Sequence, residues 1–289
     1  MKTLSFIVFV CILTFSCNTT SRKEENPKNE PTIKTEKTLV TENPGSYSKV
    51  SDCGCETKEY NRSYTTDLAF RNAEYSKVKN DSLFAKWSND SLKNKVRSIR
   101  FSGYDTIPSK YSVFKEVDRI SISSINGIHG VDMFPKLNTV HFYGSKINLG
   151  TGEKWLQRVE ALFSLKTEFI GLETFTKMKN LQVISIDFSG FDNFPKDFDK
   201  LECLQEVSCR TYMYGEIDLN TLDITKNKCL QKVEFKAKRN TLSGIPKGIN
   251  DPKIQYLKII HRKLTEKDKE ALKQIKASGQ EDNDHHHHS

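Results

Sequence analysis

Cysteine and histidine are the residues in this chain whose spacing invites a chemical role. Seven cysteines occur, at positions 11, 17, 53, 55, 203, 209 and 229. Cys53-Gly54-Cys55 has the form of half a metal or redox site, because two thiolates this close can share a zinc ion. No second close pair follows to complete a four-ligand set, so a local or intermolecular disulfide is the better expectation. His129, His141 and His261 are widely separated, and His285 to His288 close the chain near Asp282 and Asp284. That terminal run would hold a transition metal only loosely, and it is also what a purification tag or a disordered tail contains. No metal site is assigned to it. The spaced signatures of a hydrolase elbow, a zinc-protease helix, a phosphate loop and a dinucleotide fold are all missing. The expectation is therefore a chain with no catalytic residues and no cofactor, and not an enzyme.

The elements that carry these residues begin with an address. Met1-Lys2 is a short positive start, Leu4 to Phe15 is an apolar stretch of 12, and Ser16-Cys17 follows. Charge, short apolar core and small residue make a secretory signal peptide over residues 1–16, too short to span a bilayer as a helix. A cysteine directly after the small residue resembles the lipobox of bacterial lipoproteins. The resemblance implies that Cys17 becomes the lipidated first residue of the mature chain, carrying palmitate-type acyl groups. The sequence departs from the family pattern in having Thr14 where Leu is usual, with Leu13 one place earlier. Ordinary cleavage that leaves Cys17 a plain thiol is the alternative. Residues 17–52 are rich in Asn, Thr, Ser, Lys, Glu and Pro and read as a flexible tether. Within them, Lys23-Glu24-Glu25 is similar to the short acidic export signal of some Gram-negative lipoproteins. The implied location is the bacterial outer membrane or cell surface, by a lipid anchor.

Charge excludes one class of partner. The chain has 289 residues, with 45 Lys and Arg against 37 Asp and Glu, for a net charge of +8. The excess is diffuse, and no basic run exceeds Lys236-Ala-Lys238-Arg239, so a nucleic-acid partner is not expected. Apolar residues make up 36%, with one long apolar run, which excludes a multi-span membrane protein.

From residue 92 to 264 one pattern recurs: apolar, two variable, apolar, one variable, apolar. Its instances are Val96-Ile99-Phe101, Val117-Ile120-Ile122, Leu137-Val140-Phe142, Val159-Leu162-Ser164, Leu181-Ile184-Ile186, Leu204-Val207-Cys209, Leu230-Val233-Phe235 and Ile254-Leu257-Ile259. Successive starts are 20 to 26 residues apart, and Ser164 alone breaks the apolar set when Cys209 is counted with it. Ile107-Pro108, Phe194-Pro195 and Ile245-Pro246 add an apolar-Pro step after three of the strand starts. The pattern resembles the leucine-rich repeat. That resemblance implies an α/β fold: a solenoid with a curved parallel sheet on its concave face and helical terminal caps. The Asn usual after each strand is mostly missing, with Ser145, Ser189 and Lys238 in its place, so the family's Asn ladder is in doubt here. The unit around Trp155 to Leu165 also reads as a helix. Residues 53–91, with Leu68, Phe70, Leu83, Phe84 and Trp87, should form a helical N-terminal cap. Residues 265–277 should form a capping helix with Ala271, Leu272 and Ile275 on one side, before a disordered tail over 278–289.

Alternation in the strands predicts which side chains face solvent. Arg100, His141, Tyr143, Phe163, Asp187, Arg210, Lys236 and Tyr256 are the candidate binding residues of the concave face, with the exposed aromatics foremost. Gln182, Gln205, Gln231 and Gln255 form a column that reads as tolerated surface amide, or as a side-chain ladder. Cys203 and Cys229 each precede a strand start and are expected as neighbours able to pair, with Cys209 left as a buried thiol. The function expected is a membrane-anchored binding module for an unidentified protein; the alternative is a cell-surface glycan-binding or adhesion protein.

Overall fold

Within each repeat unit, side chains from the fourth position onward alternate between the two faces of an extended strand, and this alternation decides the architecture. The computed structural model describes residues 40–42, 53–56, 58–63, 65–124, 129–148, 154–170, 177–187, 198–211, 217–237, 242–261 and 264–274, which belong to one unit, Thr38–Ser289. The strands are β1 (Val40–Glu42), β2 (Leu68–Arg71), β3 (Ser98–Ser102), β4 (Arg119–Ser123), β5 (Thr139–Tyr143), β6 (Lys146–Asn148), β7 (Ala161–Leu165), β8 (Glu168–Ile170), β9 (Val183–Asp187), β10 (Glu206–Thr211), β11 (Ile217–Asp218), β12 (Lys232–Ala237), β13 (Leu242–Ser243) and β14 (Tyr256–Ile260). Nine of them form a parallel sheet in chain order, β2-β3-β4-β5-β7-β9-β10-β12-β14, and β1 adds antiparallel at the β14 edge. Two small parallel pairs, β6 with β8 and β11 with β13, lie outside this sheet.

The register repeats from strand to strand. Ile99, Ile120, Val140, Leu162, Ile184, Val207, Val233 and Leu257 stand opposite one another in a row, and all are buried. One position before each strand, backbone N–H groups of Asp118, Asn138, Glu160, Gln182, Gln205, Gln231 and Gln255 donate to the carbonyl of the equivalent residue one unit earlier, at 2.7–3.0 Å. Five of the described returning halves carry a 3-10 turn rather than an α-helix: Ser109–Val113, Val131–Met133, Lys154–Gln157, Phe198–Lys200 and Leu219–Thr221. Tyr111, Val131, Trp155, Phe198 and Leu219 point from these turns into the core. The core is thus a slab between the sheet and a row of short turns. Each large apolar side chain it buries contributes about 1.5–3 kcal/mol.

Local chemistry explains the departures from pattern. Ser164, the polar intruder, accepts the backbone N–H of Asp187 through its hydroxyl at 3.2 Å, so the core position is satisfied. The Trp155 to Leu165 segment is a 3-10 turn followed by β7, not a helix. Ser145 Oγ accepts the Ser124 N–H at 3.0 Å and donates to the Tyr143 carbonyl at 2.9 Å, which satisfies turn backbone groups without an Asn. Ser189 and Lys238 lie outside the described residues.

The ends are only partly as expected. At the N-terminal end Leu68 and Phe70 sit on a strand, β2, which extends the sheet, and helix α1 (Lys77–Trp87) packs Leu83, Phe84 and Trp87 against the core. Rings of Phe70 and Tyr111 meet at 4.5 Å, and Phe84 meets Tyr111 edge-on at 5.6 Å. At the other end, residues 266–274 are helical. Thr265 and Asp268 cap that helix reciprocally, N–H to side-chain oxygen, at 3.0 and 3.1 Å. Leu272 is buried beneath it, whereas Ile275 lies outside the described residues. The signal segment, Cys17, the acidic Lys23–Glu25 stretch, the His-containing tail and all of the tether but Val40–Glu42 also lie outside them. Among the described residues no helix is long and apolar enough to cross a membrane.

Candidate functional site

Residues Cys53 to Asp67, expected as part of a helical cap, instead cross the face of the sheet that points away from the core. Four cysteines fix the start of this strap. Gly54, at φ +81°, turns the backbone between Cys53 and Cys55 so that each reaches a different strand entry. Cys53 is bonded to Cys229, just before β12, and Cys55 to Cys203, just before β10, with Cα–Cα distances of 5.2 and 5.6 Å. The expected Cys203–Cys229 bridge is therefore corrected: those two cysteines do precede neighbouring strands, but each is paired with the strap. Cys53 and Cys55 likewise bond to distant partners, not locally. The sulfur atoms of Cys53, Cys55 and Cys229 lie within 4.8 Å of one another, but a disulfide sulfur is not the thiolate that a metal needs. Cys209 remains as a buried thiol, its pKa pushed up by burial.

Beyond the bridges the strap is held by side chains that the sheet presents before and within its strands. The Gln205 amide donates to the Glu56 carbonyl at 3.2 Å. Lys58 Nζ meets Glu160 at 2.9 Å, and the Tyr60 hydroxyl lies 2.9 Å from both Glu160 Oε2 and Gln182 Oε1, serving one of them at a time with its proton. Burial and the Glu160 carboxylate raise the Tyr60 pKa, so the phenol stays a donor. Arg62 pairs with Glu206 and lies 5.6 Å over the Phe163 ring. At the far end the Asp67 carboxylate accepts the N–H groups of Arg97 and Ser98 at 2.8 and 2.9 Å.

Several candidate residues are thereby covered. Tyr60 packs on Ala161, Phe163 and Val183, a small second apolar cluster on this face. Phe163 is 3% exposed and His141 0%, their rings stacked at 4.7 Å. Neither is the open binding residue that alternation predicts, because the period of a strand identifies a face and not what lies on it. Burial, followed by the charges of Arg119 and Arg100, lowers the His141 pKa to about 4, against a hydrogen bond from its ring to the Asn61 backbone that raises it. Asp187 is also corrected. It is buried and accepts the N–H of Lys166 at 2.6 Å, holding a turn where Lys166 adopts φ +53°. Burial is the leading cause that raises its pKa. Gln182 and Gln205 are buried in the strap contact instead of forming tolerated surface.

The remaining candidates fall into two open regions. Over β10 to β14, Arg210 is exposed and 3.8 Å from Glu234, Lys236 is half-buried, and half-buried Tyr256 has the Lys232 ammonium 5.3 Å from its ring. Over β2 to β5 a recess of about 450 Å³ is lined by Arg71, Arg100, Ser102, Ser121, Ile122, Ser123 and Tyr143. This recess brings together two of the predicted residues, Arg100 and Tyr143. It adds the serines, which two adjacent Ser-bearing strands, Ser98-Ile-Arg-Phe-Ser102 and Arg119-Ile-Ser-Ile-Ser123, were enough to flag, and Arg71 of β2, which they do not contain. No family model matches the chain, and no curated protein matches it.

Two measurements follow from the strap. Peptide mapping without reductant should recover the Cys53–Cys229 and Cys55–Cys203 links, with the Cys209 thiol reactive only after unfolding. Replacing Cys53 and Cys55 with Ser should cost about 2–5 kcal/mol per lost bridge in urea unfolding. For His141, the folded pKa lies below the unfolded value near 6.5, so the unfolded chain takes up the proton first as pH falls. Stability should drop as pH falls from 6.5 to about 4, by about 3 kcal/mol from this group, and the drop should level off below. A His141→Gln variant whose stability fell just as steeply over this window would remove His141 as the cause.

Proposed function

We propose that the chain is an exported bacterial leucine-rich-repeat lipoprotein: a solenoid with its parallel sheet on the concave side, anchored through Cys17 at the outer membrane or cell surface, acting as a binding module. The repeat reading is supported by nine parallel strands in chain order with an aligned apolar row, and by short 3-10 turns in five of the described returns. The observation that carries the binding reading is the division of the sheet's outer face. The strap seals its middle, and the β2–β5 end is left with an open recess.

Between a protein and a glycan partner, the lining of that recess favours the glycan. Protein hot spots are built from aromatic and aliphatic anchors in desolvated pockets. Here Phe163, the best such anchor on the sheet, is already used by the strap. What lines the recess is two half-buried serines, Ser102 and Ser123, the buried Ser121, two arginines and the ring of Tyr143, 48% exposed. Hydroxyls and guanidinium groups suit the donors and acceptors of a sugar, and an exposed ring gives it a flat apolar face.

Screening the purified domain on a glycan array should give binding that Tyr143→Ala abolishes. Silence on the array, with a membrane protein captured in its place, would favour the protein reading. For the anchor, Cys17→Ala should move the protein from the membrane to the soluble fraction; unchanged membrane retention would refute lipidation at that residue.

A further inference from the structure

We infer that the recess over β2 to β5 binds the acidic group of a saccharide, a sugar carboxylate or sugar sulfate, with Arg71 and Arg100 as its anion ligands. The inference rests on the glycan reading and adds the charge of the sugar to it.

The register builds the site. Arg71, Ser102 and Ser123 face one another across β2, β3 and β4, and Tyr143 is the next residue of this row on β5. The row behind it runs Arg100, Ser121, His141. At a strand spacing of about 4.8 Å, three steps separate Arg71 from Tyr143 by about 14 Å, room for more than one sugar ring. The two guanidinium groups therefore stand at one end of a short trough with an aromatic ring at the other.

Charge selects the ligand. Among the described residues that line the recess two are arginines and none is a carboxylate. A guanidinium presents a planar fork of N–H donors that matches the two oxygens of a carboxylate or sulfate. Arg71 is held in position, its Nη1 donating to the Tyr75 hydroxyl at 2.8 Å. Tyr75 is itself 79% exposed and adds a second ring beside the trough. Arg100 and the neighbouring Arg119 both help hold His141 uncharged, which reports a positive field at the floor.

A second, independent observation points to a ligand. Ser121 is only 2% exposed, and its hydroxyl is buried without a hydrogen-bond partner among the described residues. A buried polar group without a partner is costly, about 1–3 kcal/mol, and such groups are few in folded proteins. Ser121 sits at the floor of the recess, between Arg100 on one strand and His141 on the other. A sugar hydroxyl or anionic oxygen seated there would complete it.

The experiment is calorimetric titration of the full folded domain with oligogalacturonate, with a heparin-derived sulfated oligosaccharide and with a neutral dextran oligosaccharide. At least one acidic probe should bind about tenfold or more tightly than the neutral one, and the better of the two tells carboxylate from sulfate. Arg100→Gln should lose about tenfold in affinity for that probe and Arg71→Gln several-fold. Lys179→Gln, which removes the same charge from an exposed turn, should change nothing. Thermal unfolding of each variant shows whether the fold is intact; if Arg100→Gln fails to fold, Arg71→Gln and Ser121→Ala carry the test. Equal binding of neutral and acidic probes, or equal loss in Lys179→Gln, would overturn the anion site while leaving a glycan-binding protein. No binding to any saccharide would overturn both.

Discussion

An apolar stripe three residues long cannot be hidden by the strand that carries it. Val140 and Phe142 are fully buried only because Ile120 and Ile122 lie beside them on one side and Leu162 on the other, over the Val131 and Trp155 turns. Every unit repeats that dependence, and so the register cannot slip. A shift of one residue would turn the apolar row of that strand to the outer face and set Arg100 or Glu206 against the core. The backbone rungs before the strands, from Asp118 to Gln255, enforce the same alignment with hydrogen bonds. The columns on the outer face are straight for this reason, and both the strap and the recess are built on those columns.

The strap is a consequence of what such columns offer. Glu160, Gln182 and Gln205 follow one another at the strand entries, and Ala161 with Val183 follow one position later. A single extended segment crossing the strands can therefore meet amides, a carboxylate and an apolar patch in succession, which Glu56, Lys58 and Tyr60 do. The segment occupies the part of the surface that an outside ligand would otherwise find most apolar. This division leaves a polar, positively charged end at β2–β5 and a mixed end with Arg210, Glu234 and Lys232 at β10–β14.

The strands could be read from the chain because each carries the same three apolar offsets, a signal reinforced eight times. The C-terminal cap could be read as well, since Thr265 and Asp268 hold its start and Leu272 its buried side. The strap was hidden. Most of its contacts join residues a hundred or more apart, as Tyr60 and Glu160, through single polar atoms that leave no periodicity. Four cysteines allow three pairings, and proximity of Cys203 and Cys229 favoured the wrong one. Cys53-Gly54-Cys55 did carry a usable hint, because two adjacent thiols facing two other neighbouring thiols can be satisfied as a double clamp. His141 and Phe163 were placed on the correct face, but nothing in their own strands announced that Tyr60 and Arg62 would cover them. Arg100 and Tyr143 kept the exposure that alternation predicts, the first half-buried and the second 48% exposed.

The double clamp also governs how the molecule carries mechanical load. Among the described residues the chain upstream of the strap pairs with the sheet at its β14 edge, through β1, and is bonded covalently at Cys53 and Cys55 to the entries of β12 and β10. A pull on the chain before Cys53 is thus passed into the sheet through sulfur–sulfur bonds, at the end remote from the recess. The hydrogen bonds of Lys58, Tyr60 and Arg62 lie behind that clamp. Tension cannot peel them off one at a time from the leading edge, and the strands that frame the recess are the last to feel it.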